Sequence, residues 1–123
     1  MNIEKLLKHT QLAQKRAYAP FSNYPVGCAI LTNNEEYILG CNIESKVYPT
    51  TLCAERTAIF SAISQNKKKF LAMGVITKDG AYPCGSCRQI IHEFTGDIPI
   101  YIFSNVNNKF KITNIKKLLP NAF

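Results

Sequence analysis

Two short stretches carry the residue types that do chemistry, Cys53-Ala54-Glu55 and Pro83-Cys84-Gly85-Ser86-Cys87. Cys84 and Cys87 are three apart, so on a helix their sulfurs lie on one side about a turn apart and can grip one ion. Cys53 can supply a third ligand if the two stretches meet. Cys53 and Glu55 are two apart, roughly 200° around a helix, and cannot share a mid-helix face. They converge only over the open end of a helix, where first-turn side chains surround the axis. The spacing therefore predicts a metal at paired helix N-termini, where dipoles and free N–H groups stabilise thiolates. Three thiolates leave one position open on a tetrahedral zinc, the arrangement of a catalytic site rather than a closed structural one. Zinc lowers the pKa of bound water from about 15.7 to around 7. Glu55, a carboxylate outside the ligand set, then supplies the proton shuttle a hydrolysis needs.

Two plainer readings compete. A structural zinc needs a fourth Cys or His, and the chain offers Cys28, Cys41, His9 and His92. Cys28 and Cys41 sit in apolar strand patterns, where a free thiol behaves as a small hydrophobe. His9 and His92 fall on helices as ordinary surface or partly buried residues. The other reading is a redox dithiol. Five cysteines form an odd set, and Met1 to Thr10 lacks an apolar signal core, so a disulfide framework is the weaker expectation and a cytoplasmic setting the stronger one. No apolar run approaches the roughly 18 residues of a membrane span.

The elements that must position these groups follow from periodicity. Ile3, Leu6, Leu7, Ala13 and Ala17 mark one face of an opening helix, which must stop before Ala19-Pro20 and the Pro25 that follows. Val26 to Leu31 and Tyr37 to Cys41 are two apolar runs around a polar turn, a hairpin. Thr50 or Thr51 is the expected cap of a second helix running to about Ser64. Leu71 to Thr77 reads as a third strand. Pro83 suits the first turn of a third helix, with Cys87, Ile90, Ile91 and Phe94 on one face. Ile98 to Phe103 is a fourth strand, and a short strand near Phe110–Ile112 and a helical turn, Thr113 to Leu119, complete the chain. Alternation of strand and helix from residue 37 to 103 implies two crossovers and a partly parallel sheet. The expected fold class is three-layer α/β, a mixed sheet of about five strands with helices on both faces, in a single domain over residues 1–123.

With Cys53 in place of His, the two stretches fit the H-x-E…P-C-x-x-C signature of zinc deaminases. Cys53-Ala54-Glu55-Arg56-Thr57-Ala58 and Pro83-Cys84-Gly85-Ser86-Cys87-Arg88-Gln89 closely resemble the small homotetrameric cytidine deaminases, and the resemblance spans nearly the whole chain. It includes Tyr18-Ala19-Pro20-Phe21-Ser22, Tyr24-Pro25-Val26-Gly27, Gly40-Cys41-Asn42-Ile43-Glu44 and Leu118-Leu119-Pro120-Asn121-Ala122-Phe123. The resemblance implies a three-layer cytidine-deaminase-like fold, one Zn2+ per subunit on Cys53, Cys84 and Cys87, and proton transfer by Glu55. It implies that Asn42 and Glu44 hold the sugar hydroxyls of a nucleoside. Tyr24 matches a position, usually Phe, that packs against the base, and Ala54 belongs to the same substrate-binding set. Phe123 matches a Phe that reaches into a neighbouring subunit's site. Arg56 matches a residue that donates to a thiolate and offsets the net −1 charge of a zinc with three thiolates. Arg88 and Gln89 match further supporting positions of that motif. The chain departs from the family at Tyr24, which adds a hydroxyl, and at Ser45-Lys46-Val47, which places a cation near the sugar end or a subunit contact.

The activity so implied is hydrolytic deamination of cytidine and deoxycytidine to uridine and deoxyuridine plus ammonia, a pyrimidine-salvage reaction. The alternatives are deamination within another substrate, a nucleic acid or the antibiotic blasticidin S, and a non-catalytic zinc module. The net charge of +7 is concentrated in residues 61–123, with nine Lys/Arg against three Asp/Glu. That half lacks the interleaved aromatics of a stacking platform for single strands. Its charge, including Lys67-Lys68-Lys69, reads as a solvated surface, and no nucleic-acid or membrane partner is expected.

Overall fold

The computed structural model describes residues 1–107 and 109–123. Its elements run α1 (Ile3–Gln14), β1 (Gly27–Thr32), β2 (Tyr37–Cys41), α2 (Ala54–Ser64), β3 (Phe70–Thr77), α3 (Gly85–Phe94), β4 (Ile100–Ser104), β5 (Phe110–Thr113) and α4 (Ile115–Leu118). The five strands form one sheet in the order β2-β1-β3-β4-β5. β1 pairs antiparallel with both β2 and β3, β3 pairs parallel with β4, and β5 closes the edge antiparallel. The strand β2 and its successor β3 are therefore parallel to each other with β1 between them.

Side-chain alternation along the strands divides the core in two. Cys28, Ile30, Met73, Val75, Ile100 and Ile102 face α2 and α3, meeting Ala58, Ile59, Ala62 and Ile91. Ala29, Leu31, Ala72, Ile76, Tyr101 and Phe103 face the opposite way, onto Leu6 of α1. Helices thus cover both faces, and all six residues of β1 are buried. Each large aliphatic side chain so buried stabilises the fold by about 1.5–3 kcal/mol.

Two glycines set how closely the helices approach. A Cβ at Gly40 would lie 2.3 Å from the Ala58 nitrogen and 2.5 Å from the Ala54 oxygen, and one at Gly27 would lie 2.4 Å from the Thr10 oxygen. Only a glycine lets the first turns of α2 rest directly on β2.

The expected elements are all present, with shifts at their ends. The second helix begins at Ala54 rather than at a Thr50 or Thr51 cap. Tyr48-Pro49-Thr50 forms a separate 3-10 turn, and Cys53 takes the N-cap position. The third helix begins at Gly85, with Cys84 at its N-cap and Pro83 just outside. Cys28 is buried as expected, whereas Cys41, on the edge strand, is only half-buried and directs its thiol to the Arg16 carbonyl at 3.4 Å. Lys67 pairs with Glu36 at 2.8 Å rather than standing free, while Lys68 and Lys69 are exposed. His9 stacks on Tyr37 with ring centroids 4.0 Å apart and its Nδ1 at 2.8 Å from the Lys5 oxygen, and His92 is exposed.

Candidate active site

The topology decides which loops meet. β2 and β3 run in the same direction, so the segments after them, 42–53 and 78–84, leave the sheet at one end. β1 runs the other way, so the segment before it, 15–26, arrives there as well. These three segments enclose a cavity of about 390 Å³. Crevices outside the carboxyl ends of parallel strands are the habitual ligand sites of such sheets.

At its floor lie the N-termini of α2 and α3. Cys53 and Cys84 both occupy N-cap positions with extended backbone, and neither side chain caps its helix. Their sulfurs lie 3.8 Å apart, and the sulfurs of Cys53, Cys84 and Cys87 all fall within 4.8 Å of one another. Two thiolates on a tetrahedral zinc with bonds of about 2.3 Å would be separated by about 3.8 Å. The donor set and its spacing therefore fit one Zn2+. Among the described residues no other group of three or more His, Cys, Asp or Glu converges in this way.

Arg56, one turn along α2, donates from its terminal nitrogen to the Cys53 sulfur at 3.1 Å. Its Nε is buried without a partner. Within the trio the negative charge settles on Cys53, whose thiol is pushed down to about 5. The hydrogen bond from Cys87 is the main cause and Arg56 a second, against the opposing effect of burial. Cys87, fully buried, is pushed up, first by that same bond to Cys53 and then by burial.

Glu55 lies in the first turn of α2, lines the same cavity and is only 4% exposed. Burial pushes its carboxyl up to about 7, with the charge on Cys53 adding and Arg56 opposing. A carboxyl balanced near neutrality can both take and give a proton. Ala54, fully buried, lines the cavity beside it.

The mouth is built differently. Asn42 spends its amide on the opposite lip, accepting from the Val26 N–H at 2.9 Å and donating to the Tyr24 carbonyl at 2.9 Å. Glu44 accepts from the Phe21 and Ser22 N–H groups at 2.8 and 3.0 Å and from the Ser22 hydroxyl. The Ser22 hydroxyl is the main cause that holds its carboxyl below the usual range. Both residues line the cavity, as does Tyr24.

Other expected site residues lie elsewhere. Arg88 does not meet a sulfur. It donates to the Pro83 carbonyl at 2.8 Å and the Leu118 carbonyl at 3.0 Å, bracing the turn before Cys84 against α4. Gln89 donates to the Phe123 carbonyl at 3.5 Å. Phe123 is 97% exposed and lines no part of this cavity. Lys46 is exposed, while neighbouring Ser45 donates its N–H to Thr51 Oγ1 at 2.9 Å. One participant escaped the sequence reading. Asp79 accepts the Tyr24 hydroxyl at 2.5 Å, a partner 55 residues away that no local pattern announces.

Comparison with known proteins gives a consistent picture. The family model described as the cytidine and deoxycytidylate deaminase zinc-binding region matches residues 1–103. A cytidine deaminase of Sporosarcina psychrophila is 43% identical over 126 residues, covering 100% of this chain and 92% of its own length. One from Mycoplasma genitalium is 38% identical over 127 residues, covering 100% and 96%. The crystal structure of a cytidine deaminase from Burkholderia pseudomallei superposes with a TM-score of 0.94 at 35% identity, covering 100% of both chains.

Proposed function

Because the chain belongs to the cytidine deaminase family, we propose that it catalyses hydrolytic deamination of cytidine and deoxycytidine, giving uridine or deoxyuridine and ammonia as a step of pyrimidine salvage. One observation carries this reading. A buried glutamate near neutral pKa and a three-sulfur cluster lie at the floor of a cavity whose mouth presents Asn42 and Glu44.

The roles follow from position. Cys53, Cys84 and Cys87 would hold the zinc, which supplies the Lewis acidity that makes a water molecule nucleophilic at neutral pH. Glu55 takes one proton from the attacking water and passes it to N3 of the base. It then takes the second water proton and passes it to the amino nitrogen, which leaves as ammonia while C4 keeps the oxygen as a carbonyl. Each turnover returns Glu55 to its starting state, so both water protons are accounted for. Arg56 holds Cys53 as a thiolate, and Ala54 and Tyr24 pack around the base.

Asn42 and Glu44 would take the sugar hydroxyls. Their acceptors already face backbone N–H groups of residues 21–26, so the lip is ordered before substrate arrives. That order lowers the cost of binding. The cavity is open to solvent on one side, and Phe123 is too exposed to serve the site of its own chain. This supports a homotetramer in which Phe123 closes a neighbour's cavity and residues 1–123 act as one catalytic domain. Arg88 and Gln89 act indirectly, through the Pro83 turn and the Phe123 backbone.

The test is an ultraviolet absorbance assay of the purified protein with cytidine, with blasticidin S in parallel and bound metal measured on the same sample. The expected result is conversion of cytidine with about one zinc per chain. Zinc-loaded protein inert on cytidine but active on blasticidin S would overturn the assignment.

A further inference from the structure

Tyr24 forms one wall of the cavity, and its backbone is pinned from three sides. Its N–H donates to Ser22 Oγ at 3.1 Å, its carbonyl accepts from Asn42 Nδ2 at 2.9 Å, and the next carbonyl, of Pro25, accepts from Gln14 Nε2 at 3.1 Å. These bonds fix the main chain but leave the two side-chain torsions of Tyr24 free. The hydroxyl donates to Asp79 Oδ1, the Thr77 side chain hydrogen-bonds the same hydroxyl, and Lys78 Nζ sits over the ring 5.8 Å from its centroid.

Asp79 is a prepared acceptor. Its Oδ1 also accepts from Thr77 Oγ1 at 3.3 Å, and N–H groups of Asp79 itself and of Ala81 support the carboxylate. Thr77 Oγ1 accepts in turn from the Ala81 N–H at 2.9 Å, and Ser104 Oγ donates to the Lys78 carbonyl at 3.3 Å, so the turn is fastened to the sheet. Gly80, at φ +74°, supplies the left-handed step that reverses the chain. The carboxyl is held below its usual range, chiefly by the Tyr24 bond. It is therefore ionised at neutral pH, and the contact is a charge-assisted hydrogen bond, stronger than a neutral one. Asp79 itself does not line the cavity.

We propose that Asp79 is a positioning residue for substrate affinity: it joins the lip formed by residues 15–26 to the lip formed by residues 78–84 and holds the Tyr24 ring as a preformed wall against the base. The proposal rests on the nucleoside reading of the cavity. Without Asp79 the ring loses its charged anchor and keeps only the Thr77 and Lys78 contacts, so substrate must order it further on binding, a cost that falls on affinity. Because the wall contributes alike before and at the transition state, the loss appears in KM rather than kcat.

The experiment is a double-mutant cycle on the zinc-loaded protein with Tyr24→Phe, Asp79→Ala and both together, plus Asp79→Asn, whose amide oxygen can still accept from the phenol. Asp79→Ala and Tyr24→Phe are each expected to raise KM for cytidine by roughly three- to tenfold with kcat within about twofold. The double variant should be no worse than either single, and Asp79→Asn should recover most of the affinity. Uridine affinity measured by calorimetry should weaken by the same factor, a readout free of turnover. Melting curves identify any variant that fails to fold, in which case Tyr24→Phe and Asp79→Asn still decide the matter. Unchanged KM in Tyr24→Phe, factors that multiply in the double variant, or no recovery with Asp79→Asn would overturn the proposal. A parent protein that neither deaminates cytidine nor binds uridine overturns the functional reading instead, and this proposal with it.

Discussion

Two glutamates line one cavity and are pushed in opposite directions. Glu55, at the floor, is buried in the first turn of α2, and burial drives its carboxyl up to about 7. Glu44, at the mouth, meets two N–H groups and a hydroxyl, and these hydrogen bonds hold its carboxyl down. The same side chain is thereby fitted for two jobs. Removal from water without a full set of donors makes a proton carrier, and donors in partly solvated surroundings make a fixed acceptor. The floor is suited to chemistry and the mouth to holding.

The sharpest way to break that contrast is Glu55→Gln, which keeps the size of the side chain and removes its protons from play. Its kcat should fall by at least about 10²–10⁴, with zinc content unchanged. A variant that keeps zinc and deaminates at the parent rate would strip the floor of its assigned role. The corresponding change at the mouth, Glu44→Gln, is expected to raise KM by about tenfold with kcat largely retained, since hydrogen bonds to a charged group contribute about 1.5–3 kcal/mol. A fall in kcat alone would erase the division of labour.

The smallest effect is the most diagnostic, because its sign differs between the two ends. At Glu44 the folded pKa lies below the ordinary 4.5, so the folded chain binds fewer protons than the unfolded one. The stability this carboxylate contributes is full above about 4.5 and is lost as pH falls through its lowered value. At Glu55 the folded pKa is raised from 4.5 to about 7, so in chelator-treated protein its contribution is full below 4.5 and is lost as pH rises through about 7. Melting temperatures of each Gln variant against the parent, followed across pH, should diverge in opposite directions. Parallel profiles would show that the two carboxyls share one environment.

The floor was largely legible in the sequence because its logic is local. Cys84 and Cys87 are one turn apart, and the i, i+2 spacing of Cys53 and Glu55 makes sense only at a helix end, where Cys53 is found. The exact start of α2 was less legible. Thr50 is a good cap by type, but Pro49 and its neighbours close a separate 3-10 turn, and the chain straightens before Cys53. Arg88 follows Cys87 in sequence, but only the tertiary structure shows how it supports the motif, through its guanidinium on the Pro83 and Leu118 carbonyls. Asp79 was illegible for a simpler reason. An Asp before a Gly reads as a turn, and its bond to Tyr24 exists only because two distant loops leave the sheet at one end.

The sequence alone therefore determined the three-cysteine set, the carboxyl candidate beside it and the helix and strand content, because side-chain chemistry and short periodicities act over a turn or a strand. Tertiary structure decided that the two cysteine-bearing helix ends face each other. It also decided that Glu55 is stripped of water and Glu44 is not, and that Tyr24 has a partner. Those outcomes depend on β2 and β3 running parallel on either side of β1. Strand order and burial arise from contacts between residues far apart in the chain, and no local spacing encodes them.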